Sequence, residues 1–155
     1  MSSSLVSPFT MRVPVRFHHT DPAGYVFFPR YFEMLQSVVE DWFNEGLGLN
    51  YYDLINKQRL GTPTARTECT FMKPCHLGDM LEITIYVEQI GNSSIRVRFV
   101  GMVGGEMRLE ARSVLVVISL LDGSPHRFGG DMRSRIEAYQ AGQGEQPVTP
   151  PARAR

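Results

Sequence analysis

The sequence has few cysteines and no excess of charge of either sign. Its two cysteines, Cys69 and Cys75, have a spacing that fits no common zinc pattern, and we expect no metal site. Two thiols of this kind favour reduced residues in a cytoplasmic protein. Sixteen lysines and arginines balance sixteen aspartates and glutamates. This balance argues against a nucleic-acid partner, because such a partner usually needs a basic face.

Long hydrophobic runs are lacking too, and we expect no membrane partner. The longest apolar run, residues 114–118, is far shorter than the ~20 residues that a transmembrane helix requires. Residues 1–10 lack the basic start and apolar core of a signal peptide and form an N-terminal segment. Residues 142–155 are rich in proline, glycine and glutamine, so we expect a disordered C-terminal tail. Residues 11–141 then form a single domain.

A first strand, a turn and a long helix are predicted in the N-terminal third. Residues 11–17 alternate between apolar and polar, as in a half-buried strand, and Pro14 places this strand at an edge or a bulge. The sequence DPAG at residues 21–24 has the composition of a turn. Pro29 suits the first position of a helix, and Gly46 suits its end. Apolar residues recur between them at the helical period: Tyr31, Met34, Leu35, Val38 and Trp42, widened by Phe32, Val39 and Phe43.

The rest of the chain predicts a sheet with two short helices. The expected elements are a helix at residues 51–58, strands at residues 64–72, 80–88, 94–100 and 107–120, and a last helix at residues 132–140. The last of these strands ends in a β-branched run, which favours cover on both faces. Asp131 suits the cap of the final helix, with Ile136 and Tyr139 on its inner face. The order predicts an α+β fold in which one long helix covers an antiparallel sheet of about five strands.

Two motifs carry a resemblance to a known family. The sequence TDPAG at residues 20–24 is followed by FPRY at residues 28–31, and together they resemble the 4-hydroxybenzoyl-CoA thioesterase family of the hotdog fold. GTP at residues 61–63 and LGD at residues 77–79 add to the resemblance, which covers about residues 13–139. The resemblance implies the hotdog fold, in which the sheet wraps around one central helix. It also implies a homodimer with active sites at the subunit interface and association of dimers into a homotetramer.

The resemblance further implies an acyl-CoA thioesterase for an aromatic or medium-sized acyl group, with CoA as part of the substrate and no cofactor. In that family a loop aspartate acts as nucleophile or general base, a role that falls on Asp21. The chemistry agrees, since hydrolysis needs both an attacking group and stabilisation of the oxyanion. Pro29 has no N–H group, so the resemblance gives the second role to the amide of Phe28 at the helix start. From spacing alone, Asp21 is more simply the acid of a turn before proline.

The same resemblance suggests residues that contact the acyl group. His18 orients the acyl group or makes a hydrogen bond within the loop, and Tyr25 lines the pocket or covers the helix start. Thr62 approaches from the partner subunit or simply leads into a strand. Gln36 stands where the 4-hydroxybenzoyl-CoA enzymes carry an acid that meets the substrate hydroxyl, and Phe28 stands where they often carry tyrosine. Gln36 therefore binds a polar aryl substituent or faces solvent.

The resemblance also implies that residues in and after the turn that follows the third strand bind the CoA phosphates. Some family members carry a basic run in this turn, whereas this chain has GNSS at residues 91–94. Ser93, Arg96 and Arg98 are the residues suited to replace that run, although both arginines also fit exposed positions of an ordinary strand. Further alternatives are Arg66, Arg127 and Arg133.

Two other functions stay open. A hotdog enoyl-CoA hydratase would carry an aspartate and a histidine together on a segment after the helix, and His18 and Asp21 do not match that segment. A non-catalytic acyl-CoA-binding module is the second alternative. Sensors of this fold normally bring a DNA-binding domain, for which we expect no room in the ten residues before the first predicted strand.

Overall fold

Seven strands and three α-helices make up residues 5–151, the part of the chain that the structure, a computed structural model, describes. The strands are β1 (Phe9–Pro14), β2 (Leu60–Gly61), β3 (Thr64–Phe71), β4 (Met80–Ile90), β5 (Ser94–Val103), β6 (Glu106–Val116) and β7 (Ile118–Ser119). The helices are α1 (Pro29–Asp41), which continues into a π-helical turn over Trp42–Gly46, then α2 (Tyr51–Asn56) and α3 (Gly130–Gly142). A short 3₁₀ turn covers Phe17–His19.

Five of the strands form one antiparallel sheet in the order β1-β4-β5-β6-β3. The short strands β2 and β7 pair separately. β1 lies at one edge, as Pro14 predicted, and β3 lies at the other. The predicted α+β fold of the hotdog type, with one long helix against a five-stranded antiparallel sheet, is confirmed.

The central helix buries one face against the sheet. The buried residues of α1 follow the predicted helical period: Tyr31, Met34, Leu35, Val38 and Val39. The π-helical turn adds Trp42 and Phe43, which are fully buried. Alternate side chains of β4, β5 and β6 share the same core: Ile83, Ile85, Val97, Phe99, Leu109 and Ala111. Burial of each such side chain stabilises the fold by roughly 1.5–3 kcal/mol. This outweighs the few tenths of a kcal/mol by which acids near the end of α1 oppose its dipole.

The first strand begins and ends earlier than predicted. β1 pairs with β4 from Phe9 to Pro14, so the predicted bounds at residues 11 and 17 are wrong. Phe17 starts the 3₁₀ turn, and 81% of its surface is exposed. Its apolar side chain continues the alternation of the strand in the sequence but does not belong to the core.

Two predictions near the C-terminal end are also corrected. The strand predicted at residues 107–120 is two strands, because β6 ends at Val116 and β7 turns away to pair with β2. Val114 and Val116 stay half-buried, so the β-branched run is not covered on both faces. Gly129, not Asp131, caps α3, and Asp131 lies in its first turn, 3.1 Å from the guanidinium of Arg135.

Residues 143–149 pack against the body of the protein, whereas the sequence predicts a disordered tail from residue 142. β1 reaches only Ile85, which leaves the next backbone groups of β4 without a strand partner. The amide of Gln143 takes that place, because it accepts from Val87 N and donates to Val87 O, both at 2.9 Å. The chain then crosses the outer face of the sheet, the face opposite α1, where Arg98 donates to Gln146 at 3.1 Å.

The ends of the predicted terminal segments, residues 1–4 and 152–155, lie outside the described residues. None of the helices within residues 5–151 combines the length and apolar character needed to cross a bilayer.

Candidate active site

The loop between β1 and α1 folds back on itself like a small hairpin. Thr20 and Val26 form an antiparallel bridge, and Phe27 N donates to His19 O at 2.9 Å. Within this bridge, Asp21 N donates to Tyr25 O at 2.8 Å. Gly24 has a φ of +84°, a left-handed conformation that costs a residue with a side chain roughly 1–2 kcal/mol. The turn composition of residues 21–24 therefore does shape this loop.

The carboxylate of Asp21 is oriented by backbone amides. Its Oδ1 accepts from Ala23 N at 2.9 Å and from Tyr25 N at 3.3 Å. Its Oδ2 has no hydrogen-bond partner, and the side chain has no cation partner, among residues 5–151. The side chain lines an open pocket of about 400 Å³ together with Phe17, Thr20, Pro22, Gly24 and Leu77. A half-exposed carboxylate with one free oxygen can attack a carbonyl carbon or accept a proton from water.

The start of α1 offers one free backbone donor. Arg30 N donates to Phe27 O at 2.8 Å, and Tyr31 N donates to Phe28 O at 3.1 Å. Pro29 has no N–H group and occupies the first helical position, as predicted. The amide of Phe28 donates to no acceptor within the described part of the chain. The positive end of the helix dipole lies at this point, so the free amide is suited to a developing oxyanion.

Apolar surface surrounds the helix start. A pocket of about 210 Å³ there is lined by Val26, Phe28, Tyr31, Phe71, Met72, Lys73 and Pro74. Phe27 and Phe28 leave 50% and 60% of their surface exposed. Neighbouring exposed aromatic residues give the helix start an apolar surface, a feature shared by many ligand sites and interfaces.

A second loop, between β3 and β4, holds the first one in place. Val26 N donates to Cys75 O, and Leu77 N donates to Gly24 O, both at 3.0 Å. Cys75 N donates to the hydroxyl of Tyr31 at 3.1 Å, which ties this loop to α1 as well. The sequence points to this loop only through its LGD motif, which signals a turn but no contact with residues 21–28.

The predicted acyl-contacting residues do not all gather around Asp21 within one chain. His18 lies in the 3₁₀ turn with its ring 4.1 Å from that of His19. Tyr25 is 39% exposed beside Asp21. Thr62 is buried, with its hydroxyl 3.3 Å from the hydroxyl of Tyr51. It precedes β3, whose eight residues separate it by roughly 25 Å from Phe71 at the other end.

The exposed side chain of Gln36 lies beside a small groove between α1 and the edge of the sheet. The groove measures about 170 Å³ and is lined by Phe32, Leu35, Gln36, Val39, Thr64, Thr67, Phe99 and Ser113. Most of the wall is apolar, and a hydroxyl pair, Thr67 and Ser113 at 2.8 Å, adds polar groups. This groove is suited to a flat apolar group that carries a polar substituent.

The two strand arginines differ, and the prediction that both can reach a CoA phosphate needs correction. Arg98 is 4% exposed, and all three of its guanidinium nitrogens donate to Glu110, Gln146 or Thr149. Arg96 is exposed and has no ion-pair partner among residues 5–151. The C-terminal segment covers Arg98, so of these two arginines only Arg96 has an exposed side chain.

Ser93 and Arg96 lie far from Asp21 in the same chain. β4 runs eleven residues from the loop that contacts the Asp21 hairpin to the turn at residues 91–94, a span of roughly 35 Å. The carbonyl of Ser93 accepts from Val117 N at 2.8 Å, and its side chain is half-buried. A single chain therefore separates the predicted phosphate contacts from the predicted catalytic groups.

Other nucleophiles in the region are poorly suited to attack. Burial raises the pKa of Cys69 to about 11 and also raises the pKa of Cys75. Both groups are therefore neutral thiols near pH 7, and the thiolate is the reactive form.

Burial, followed by electrostatic interaction with the nearby side chains of His18 and Arg16, lowers the pKa of His19, whose Nδ1 accepts from Arg16 N at 2.9 Å. No cluster of three or more metal-ligating side chains occurs in residues 5–151.

A hotdog-type fold with a carboxylate loop at the start of its central helix defines the class of this protein. Residues 15–146 match the profile of the thioesterase-like superfamily, and the chain belongs to that superfamily. The resemblance predicted from the TDPAG and FPRY motifs is confirmed at this level. The narrower 4-hydroxybenzoyl-CoA thioesterase family stays a prediction.

This chain is similar to named relatives and to solved structures, and the length of chain covered differs between them. The 1,4-dihydroxy-2-naphthoyl-CoA hydrolase of Nostoc punctiforme is 26% identical over 91 residues, which are 59% of this chain and 61% of that relative. The chain thus spans about three fifths of the length of this curated relative. A gentisyl-coenzyme A thioesterase structure has a TM-score of 0.76 at 21% identity and covers 83% of this chain and 99% of its own. A Staphylococcus aureus protein in complex with CoA has a TM-score of 0.83 at 16% identity. The match covers 97% of this chain and 94% of that protein. At these identities the two structures show the fold alone.

Proposed function

We propose that this protein is an acyl-CoA thioesterase that hydrolyses an aromatic acyl-CoA to the free acid and CoA. One observation carries the proposal: a carboxylate with a free oxygen, Asp21, shares a short loop with the free amide of Phe28 at the start of α1. Membership of the thioesterase-like superfamily supports it. The names of the Nostoc relative and of the gentisyl-CoA structure both describe hydroxylated aromatic acyl groups, which favours that substrate class.

The proposed reaction uses the two groups in turn. Asp21 attacks the thioester carbonyl, or takes a proton from a water molecule that does so, and a new C–O bond forms. The amide of Phe28 donates to the oxyanion, a contact that typically contributes about 10²–10³-fold in turnover. The C–S bond then breaks, and the CoA thiolate takes up a proton. On the route of direct attack, a water molecule then cleaves the acyl–Asp21 anhydride, which releases the free acid and restores the Asp21 carboxylate. Single turnover in isotopically labelled water tests direct attack, because water that cleaves the anhydride at the Asp21 carbonyl carbon leaves label in the enzyme carboxylate, whereas the water route leaves none there.

A homodimer would complete this site. Among residues 5–151, β3 pairs only with β6, and most of its side chains are exposed, so the described chain leaves its outer edge open to another strand. Antiparallel pairing with the same strand of a partner would set the start of one β3 beside the end of the other. Thr62 of the partner subunit would then lie near Phe71, whose ring is 5.0 Å from that of Tyr31 at the helix start. Association of two dimers into a homotetramer is a further part of the proposal.

Within such a dimer, the groove beside Gln36 would take the aryl part of the acyl group. Phe32, Leu35 and Val39 provide apolar contact for a ring. The amide of Gln36 and the hydroxyls of Thr67 and Ser113 would bind a phenolic hydroxyl. Arg96, which has no ion-pair partner among residues 5–151, would bind a CoA phosphate.

Release of free thiol from a set of CoA thioesters tests the proposal. We expect hydroxylated aryl-CoA esters to be hydrolysed faster than alkyl-CoA esters, and Asp21→Asn to lower turnover at least about 10³-fold. Asp122→Asn is a matched control, since Asp122 is also a turn acid, whose Oδ1 accepts from Ser124 N at 2.9 Å. Hydration of crotonyl-CoA without thiol release would instead indicate a hydratase, and tight acyl-CoA binding without any turnover would indicate a binding module.

A further inference from the structure

The two loops at the candidate active site meet at one pair of side chains, Tyr25 and His76. These residues form an antiparallel bridge, flanked by the hydrogen bonds of Val26 N to Cys75 O and of Leu77 N to Gly24 O. The rings of Tyr25 and His76 pack with their centroids 4.7 Å apart and their planes tilted by 49°. Backbone and side chain therefore join the loops at the same position.

His76 is itself fixed from its other side. Its backbone N donates to Oδ2 of Asp79 at 2.8 Å, and its Nδ1 lies 3.6 Å from the same oxygen. Arg108 Nη1 lies 3.8 Å from that oxygen and donates to Pro74 O at 2.8 Å. The imidazole thus stands between a phenol ring and an anchored carboxylate.

Tyr25 in turn sets the geometry of Asp21. Asp21 N donates to Tyr25 O at 2.8 Å, and Tyr25 N donates back to Asp21 Oδ1 at 3.3 Å. A shift of Tyr25 therefore moves one of the two amides that orient the Asp21 carboxylate. Because an error of about 1 Å in the position of a reacting group can cost 10²-fold in rate, this support bears on turnover.

We propose that His76 is a positioning residue, whose ring clamps Tyr25 and thereby holds the Asp21 carboxylate in its reactive orientation. The inference rests on the proposed function of Asp21. His76 acts through the ring contact and transfers no proton. Its loss lowers kcat. KM stays nearly unchanged, because the substitution alters neither the groove beside Gln36 nor the side chain of Arg96.

The test compares His76→Ala with His76→Phe, which keeps an aromatic ring but has no nitrogen. We expect His76→Ala to lower kcat about tenfold with KM within about twofold, and His76→Phe to restore most of the loss. His126→Ala removes another exposed histidine, whose backbone N donates to Val117 O at 2.8 Å and which does not contact Tyr25, and we expect it to leave kcat unchanged. Equal impairment of the Ala and Phe variants would overturn the clamp.

A double-mutant cycle shows whether His76 acts through Tyr25. We expect Tyr25→Ala and Tyr25→Ala/His76→Ala to have the same kcat, because the contact is already lost in the single variant. Additive losses would contradict the inference. Hydrogen exchange gives a readout independent of turnover: the amides of Asp21 and Val26 exchange faster in His76→Ala and recover in His76→Phe. Unchanged exchange in His76→Ala would refute the clamp even if Asp21→Asn is inactive. An active Asp21→Asn together with faster exchange in His76→Ala would refute the proposed function and the effect on kcat, but not the contact that holds the loop.

Discussion

Two carboxylates show how differently this chain treats the same chemical group. Glu110 is 8% exposed on the outer face of the sheet, where Arg98 Nη2 lies 2.7 Å away and Arg112 and the hydroxyl of Thr149 also contact it. Asp21 lies on a loop, accepts only from backbone amides, and keeps one oxygen free within the described residues. Counter-charges occupy the acceptor sites of Glu110 and make it part of the fold. Backbone amides orient Asp21 but leave it able to react.

Exchanging each acid for its amide should separate activity from stability. Asp21→Asn is expected to lose at least about 10³-fold in kcat, equivalent to about 4 kcal/mol of transition-state stabilisation, with an unchanged melting temperature. Glu110→Gln keeps its activity but loses roughly 1–3 kcal/mol of unfolding free energy, because charge-assisted hydrogen bonds are lost. Thiol release and urea denaturation measure the two effects. An inactive Glu110→Gln that unfolds like the wild type would contradict the structural role of Glu110.

The contrast between the two acids shows which features a sequence can predict. The long helix from Pro29 and the strands of the sheet are local patterns, and the structure confirms them. The exposed apolar Phe17 looked like part of the strand because periodicity does not record exposure. In the alternating pattern Arg96 and Arg98 look alike. Contacts with Glu110, Gln146 and Thr149, which lie 12, 48 and 51 residues away in the sequence, distinguish the buried Arg98.

In the candidate site, too, some features follow from local sequence motifs and others depend on contacts between distant residues. Spacing alone makes Asp21 a turn acid, and its proposed role came from the resemblance of its motif. The choice of the Phe28 amide also came from the resemblance, and Pro29, which has no N–H group, does occupy the first helical position. The His76 contact with Tyr25 was not predictable, since it joins two loops 51 positions apart that share no periodic pattern. The roles of His18, Tyr25, Gln36, Thr62 and Ser93 stay predictions.

Removal of one partner of the buried ion pair tests the structural side of the comparison. Arg98→Ala leaves Glu110 buried without its main counter-charge and is expected to cost roughly 3–5 kcal/mol of unfolding free energy. Arg96→Ala on the same strand is the matched control, with a change within about 0.5 kcal/mol because this side chain is exposed. Urea denaturation compares the two. If Arg96 binds a CoA phosphate, Arg96→Ala raises KM without loss of stability. Arg98→Ala then lowers stability, and the two variants differ in which property changes.

The pH dependence of stability should also report Glu110. Burial opposes the ionisation of Glu110, but hydrogen bonds from Thr149 and Arg98 and the nearby positive charges outweigh it and lower its pKa. A carboxylate with a lowered pKa in the folded state adds stability that is fully present above its unfolded pKa of about 4.5. That stability is lost as the pH falls through the lower folded value. Between pH 6 and pH 3 we therefore expect unfolding free energy to fall less in Glu110→Gln than in the wild type. Parallel curves would show that the ion pair makes no such contribution.

The smallest expected effect lies where the C-terminal segment leaves α3. The Gln143 side chain makes two hydrogen bonds of 2.9 Å to the backbone of Val87, in the place where β4 has no strand partner. Gln143→Ala removes the acceptor of Val87 N and leaves Val87 O with only a 3.5 Å contact from Gln140, so it should cost roughly 1–3 kcal/mol of unfolding free energy. Gln140→Ala is the control, since Gln140 donates to the Val87 and Glu88 carbonyls only at 3.5 and 3.2 Å. Because Gln143 also leads the chain toward Gln146 and Thr149, its loss should loosen the cover over Arg98 and Glu110. Faster hydrogen exchange at Val87 together with unchanged kcat would show that this outer face supports the fold without touching the Asp21 loop.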